Sequence, residues 1–112
     1  MSKKIDLDKY YTNDGIVDHC LTVVDNLIVD YEEVIEPSAG NGAFSLKIPN
    51  CIAYDIAPEH ESIIKQDFLE LNLPYKKGRL IIGNPPFGTR NTLSVKFFKH
   101  SLQMCDYIAF VL

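Results

Sequence analysis

The apolar runs of this chain are short, and each is stopped abruptly. V-I-E (34–36) meets Pro37, C-I-A-Y-D (51–55) closes on an acid, and R-L-I-I-G (79–83) runs into N-P-P-F (84–87). Proline has no amide hydrogen and a fixed φ, so it cannot continue a central strand. Apolar runs of this length between such stops predict short buried strands. The expected strands are residues 32–36, 51–55, 62–65, 79–83 and 107–112.

The segments between them change period. From Asn13 the apolar positions Ile16, Val17, Cys20, Leu21, Val24, Leu27 and Ile28 recur at helical spacing. They predict a helix over 13–30, with Thr12 or Asn13 as N-cap and Asp14 and Asp18 near its positive end. A-F-S-L-K-I (43–48) predicts a helical turn or two, ended by Pro49. T-L-S-V-K-F-F-K-H-S-L-Q-M-C (92–105) predicts a second helix with Leu93, Phe97, Ser101, Leu102 and Cys105 on one face. Apolar strands alternating with helices imply a single α/β domain over residues 1–112, its parallel sheet covered on both faces. The chain stops inside an apolar strand, which implies an unprotected sheet edge or, as we expect, a longer protein.

Several function classes drop out. No apolar run approaches the ~20 residues of a membrane span, and no apolar segment follows the basic N-terminus as in a signal peptide. Cys20, Cys51 and Cys105 are odd in number and widely spaced, and we expect buried, reduced thiols in a cytoplasmic protein. With His19, His60 and His100 they form no metal-ligand spacing. The charge is divided: residues 1–70 carry fourteen acids and five bases, whereas 71–105 carry six bases and no acid. That basic half reads either as a surface for an anionic substrate around N-P-P-F or as a solvated helix face.

The strand ends carry the chemistry. E-P-S-A-G-N-G-A-F (36–44) joins the first strand to the next segment, and Gly40 and Gly42 allow a ligand to approach the main chain. It is neither the dinucleotide fingerprint nor a phosphate-binding loop. Glu36 beside the turn disfavours a pyrophosphate and favours a cation. Asp55 ends the second strand, where an acid typically accepts hydrogen bonds from ribose. Asp67 follows the third strand, beside Phe68. Acids at successive strand ends describe a nucleoside bearing a positive group. S-adenosylmethionine fits, with its amino group near Glu36 and the turn, its ribose on Asp55 and its adenine by Asp67 and Phe68.

These residues resemble the S-adenosylmethionine-dependent amino-methyltransferases that act on exocyclic nitrogen, chiefly N6 of adenine. E-P-S-A-G-N-G-A-F resembles their first motif, Y-D-I-A-P-E (54–59) their second, Q-D-F-L-E-L (66–71) their third and N-P-P-F (84–87) their catalytic fourth. K-Y-Y-T-N-D (9–14) resembles the segment before the first motif, with Asn13 where that segment usually has proline. The resemblance implies a Rossmann-like, doubly wound, mostly parallel sheet of the class I methyltransferase type, truncated after the fifth strand. It places the cofactor on Tyr11, Thr12, Glu36, Pro37, Ser38, Gly40, Gly42, Asp55, Ile56, Asp67, Phe68 and Asn84, within motifs spanning 36–71. It makes 83–90 the catalytic loop, with Asn84, Pro85, Pro86 and Phe87 as catalytic residues. By similarity the Asn84 side-chain oxygen and the Pro85 carbonyl accept hydrogen bonds from the target amino group, and Phe87 stacks on the extruded base. Two fixed acceptors draw an aromatic amine towards tetrahedral geometry and help most as positive charge develops on nitrogen.

The motif order is like that of DNA adenine methyltransferases whose target-recognition region comes last. N-P-P-F-G-T-R-N (84–91) also resembles the catalytic loop of enzymes acting on structured RNA. DNA is therefore the expected substrate and RNA the alternative. Similar loops methylate a protein glutamine amide, and a non-catalytic cofactor-binding or interaction module is a reading from another class. A full sheet of this family has seven strands, so the resemblance also implies a C-terminal partner chain or self-association through the fifth strand.

Overall fold

The computed structural model describes residues 13–111. Its elements are α1 (Asp14–Leu27), β1 (Glu33–Glu36), β2 (Ile52–Asp55), β3 (Ile64–Lys65), β4 (Arg79–Gly83), α2 (Thr92–Leu102) and β5 (Tyr107–Phe110). All four strand pairings are parallel, and the sheet order is β3-β2-β1-β4-β5.

Register and side-chain alternation decide which face each helix covers. Val34 pairs with Leu80 and Ile35 with Ile81, so successive residues point to opposite faces. Val34, Leu80 and Ile82 pack with Val17 and Val24 of α1. Ile35 and Ile81 pack with Phe68, Phe97 and Met104 on the α2 side. A slip of one residue would exchange the two sets, so the two cores fix one register. Burying each of these large side chains stabilises the fold by roughly 1.5–3 kcal/mol. The doubly covered parallel sheet is the architecture the alternating pattern predicts.

Local differences have physical causes. Asn13 is the N-cap of α1, its Oδ1 accepting from the Gly15 amide at 2.7 Å, and the helix ends at Leu27 because Ile28 is extended. Residues 43–48 hold only a 3₁₀ turn, Ser45–Lys47, because Ile48 is extended and Pro49 cannot follow in helix. The third strand is shorter than expected, Ile64–Lys65, and the second helix stops at Leu102 rather than 105. Leu102 is 56% exposed rather than on the buried face, which is formed by Ser94, Phe97 and Ser101. Leu102 follows Ser101 by about 100° around the helix, which carries it off the buried face. The three cysteines are free but half-buried, not buried.

The N-terminal ends of the strands are clamped. Arg79, almost fully buried, donates from Nε to Glu33 at 2.6 Å and from Nη1 to the Pro74 and Met104 carbonyls at 2.8 and 3.0 Å. Lys76 adds a second bond to Glu33 at 3.0 Å. This edge is closed by ion pairs, which leaves the opposite edge for a ligand.

Candidate functional site

From β1 the chain moves outward to β2 and β3, then returns to the other side of β1 as β4 and continues to β5. The C-terminal ends of β1 and β4 therefore flank a topological switch point, where open α/β sheets bind ligands. A pocket of about 320 Å³ opens there, at the small end of the ~300–1,000 Å³ typical of small-molecule sites.

One wall comes from the turn after β1 and the ends of β2 and β3. Asp55 is 8% exposed, and its Oδ2 accepts from the Gly40 amide at 2.7 Å while Oδ1 accepts from the Ala57 amide at 2.8 Å. The carboxylate thus holds two loops against each other while it lines the pocket. Gly40 has φ +60, and a Cβ built on it would meet no protein atom within 4 Å. A ligand can approach the main chain there without obstruction. Asp67 caps a 3₁₀ turn, Phe68–Glu70, with Oδ1 accepting from the Leu69 amide at 3.0 Å. The Phe68 ring is locked between Phe97, at a centroid distance of 5.4 Å, and His100, edge-on at 5.1 Å. At 1% exposure Phe68 supports the pocket from behind and offers no open ring face.

Glu36 sits differently from the expectation. It is 2% exposed, lies off the pocket wall, and accepts from the Ser45 amide at 3.0 Å. The open Ser45 amide of the 3₁₀ turn captures the carboxylate beneath the glycine-rich turn. Burial, partly offset by that hydrogen bond and reinforced by the nearby Asp55 charge, pushes its carboxyl up to about 8. Near neutral pH it is mainly a protonated acid buried behind the wall rather than a charge in the pocket.

The facing wall is the loop after β4. Asn84 and Pro86 line the pocket, while Pro85 is buried and Phe87 lies half-buried outside the lining. The Ser38 hydroxyl donates to the Asn84 main-chain carbonyl at 3.3 Å, linking the turn after β1 to this loop. The Phe87 carbonyl accepts from the Leu93 and Ser94 amides at 3.1 and 3.4 Å, so the start of α2 anchors the loop from behind. Gly88, Arg90 and Asn91 all have positive φ, which folds the chain sharply between Phe87 and α2.

Nine of the expected residues meet in one pocket: Pro37, Ser38, Gly40, Asp55, Ile56, Asp67, Phe68, Asn84 and Pro86. Glu36, Gly42, Pro85 and Phe87 stand behind or beside it, and Tyr11 and Thr12 lie outside the described residues. Ala57, Gln66, Leu69, Leu93 and Phe97 also line it and were not expected. Leu93 and Phe97 share the apolar face of the second helix, a signal that marks core and pocket alike. Among the lining residues are two carboxylates and no cation, an acceptor set that suits a positively charged, hydroxyl-rich ligand. Comparison with family models, with curated proteins and with solved structures finds no match.

Proposed function

We propose that this chain carries the cofactor pocket and catalytic loop of an S-adenosylmethionine-dependent amino-methyltransferase acting on N6 of adenine in nucleic acid, with DNA as the first substrate to test. The observation that carries the proposal is the pairing of walls: Asp55 and Asp67 on one side of a single pocket and Asn84 and Pro86 on the other. Asp55 suits the ribose hydroxyls and Asp67 the adenine amino group, and Gly40 leaves room for the cofactor's close approach. When bound, S-adenosylmethionine supplies the electrophilic methyl group.

The chain's own residues hold and polarise the acceptor. The Asn84 side-chain oxygen and the Pro85 carbonyl would accept hydrogen bonds from the adenine amino group. Both stand on a loop stiffened by two prolines, with the Ser38 hydroxyl on the Asn84 carbonyl and two α2 amides on the Phe87 carbonyl. Fixed acceptors need no reorganisation as positive charge builds on nitrogen, and the effect is largest where water is excluded. Phe87, beside the pocket, would cover the face of an extruded base. The free thiols agree with a cytoplasmic setting.

The test is transfer of labelled methyl groups from S-adenosylmethionine to adenine-containing DNA, to RNA of the same sequence and to a glutamine-containing peptide. The proposal expects N6-methyladenine in a digest of a nucleic acid. Label in the peptide alone would transfer the reading to glutamine, and no label in any acceptor would remove the catalytic claim.

A further inference from the structure

We infer that Arg90, Lys96 and Lys99 form a track for the phosphates of a single nucleic-acid strand, running along α2 from the Asn84–Phe87 loop. The inference rests on the methyltransferase reading of the pocket and names how its substrate is seated.

Three observations carry it. The first is the state of the cations. Lys47, Lys76 and Arg79 are all engaged in ion pairs, with Asp14, Asp18 or Glu33. Arg90, Lys96 and Lys99, like Lys65 and Lys77 elsewhere, are exposed and make no ion pair among the described residues. Three cations left in water on one loop and helix, in a stretch with no acid, present a local positive surface on a chain of net charge −4.

The second is where they stand. Leu93 lines the pocket, so α2 begins at its rim and runs towards the start of β5. Lys96 and Lys99 follow Leu93 by about 4.5 and 9 Å along the helix axis. Ser94, Phe97 and Ser101 are buried, which leaves both lysines on the solvent face. Arg90 is held by the loop itself, with φ 55 beside Asn91 at φ 61 and the Leu93 and Ser94 amides bonded to the Phe87 carbonyl. A non-glycine residue in the left-handed region carries strain, so its position is set by the surrounding structure.

The third is what flanks the cations. At about 100° per residue Val95 stands beside Lys99 on the solvent face and Phe98 stands further round, on the side away from Lys96. Phe98 is 43% exposed. A cationic helix with an exposed ring suits phosphates and stacked bases together, and a free base face is what an unpaired strand offers. Asp55 and Asp67 on the far wall repel phosphate, which favours approach from the α2 side.

The test is binding of a fluorescent, adenine-containing single-stranded oligonucleotide to the full chain, followed by anisotropy over a salt series. Each phosphate contact contributes about 0.7 to the slope of log affinity against log salt. Arg90→Ala should reduce the slope by about 0.7, and the double variant Lys96→Ala/Lys99→Ala by about 1.4. Phe98→Ala should weaken binding by about 5- to 160-fold with the slope unchanged. Lys47→Ala, a cation beside α1 on the other face of the sheet, should change neither. Unchanged slopes in the Arg90 and lysine variants, or no binding at low salt by a folded chain, would overturn the track. Titration of the same samples with S-adenosylhomocysteine separates the two claims. Bound analogue with no oligonucleotide response removes the track and leaves the pocket reading. No bound analogue removes the pocket reading, while the slopes still decide the track.

Discussion

The Gly40 amide donates to the Asp55 carboxylate at 2.7 Å, and the same carboxylate accepts from Ala57 at 2.8 Å. One side chain therefore joins the turn after β1 to the turn after β2 and also faces the pocket. Ligand binding and the shape of the site depend on a shared group, and substitutions there act on both.

Asp55→Asn tests the structural role. Asparagine keeps one acceptor, but its amino group faces the second amide, donor against donor. The loss of a charge-assisted bond in a nearly buried position should cost about 2 kcal/mol. Urea denaturation checks it: the midpoint should fall with the slope unchanged.

Asn84→Ala removes the proposed amino-group acceptor and leaves the acid wall intact. Methyl transfer should fall by about 100-fold or more. S-adenosylhomocysteine affinity should stay within a few-fold, since Asp55, Asp67 and Gly40 are untouched. Equal losses in transfer and affinity would give Asn84 a cofactor-holding role instead.

Glu36 should make stability depend on pH. Its carboxyl is pushed up to about 8, mainly by burial, against an ordinary value of 4.5. The folded state keeps the proton that the unfolded state releases, so this contribution is fully present below pH 4.5. It is lost progressively as pH rises towards about 8. Thermal unfolding followed from pH 5 to 8.5 should show a falling melting temperature, and Glu36→Gln, which can still accept from the Ser45 amide, should flatten that fall.

Gly88→Ala tests whether the loop must lie against α2. A Cβ at position 88 would stand 2.7 Å from the Leu93 Cβ and 3.0 Å from the Leu93 nitrogen, at φ +67. Backbone cannot yield as a flexible side chain would. The loop should shift from the helix, lowering stability by about 1–3 kcal/mol and reducing transfer more than analogue binding.

Much of the fold was legible because proline and acid stops cut the apolar runs cleanly. Val34, Ile35, Leu80 and Ile81 read as buried strand, and they are. Asn13 read as one of two candidate caps, and its side chain makes that bond. The 43–48 segment misled because Phe44 and Ile48 suggest a helix face, while the competition for the Ser45 amide and the stop at Pro49 are tertiary and local backbone effects. Glu36 could not be aimed from sequence, since its direction is decided by that amide. Nor could Leu93 and Phe97 be separated from ordinary core, because only the crossing of α2 over the sheet brings them to the pocket. Asp55, Asp67 and Asn84 were legible for the opposite reason: Asp55 ends β2, Asp67 stands two residues past β3 and Asn84 follows β4, and parallel strands deliver their ends to one edge.

The most direct measurement is a calorimetric titration of the chain with S-adenosylhomocysteine, run beside Asp55→Ala. The account predicts one site per chain, weakened about tenfold or more in the variant, with the variant still folded by circular dichroism. A folded chain that gives no binding heat at several temperatures, or that binds equally well with and without the Asp55 carboxylate, would contradict it.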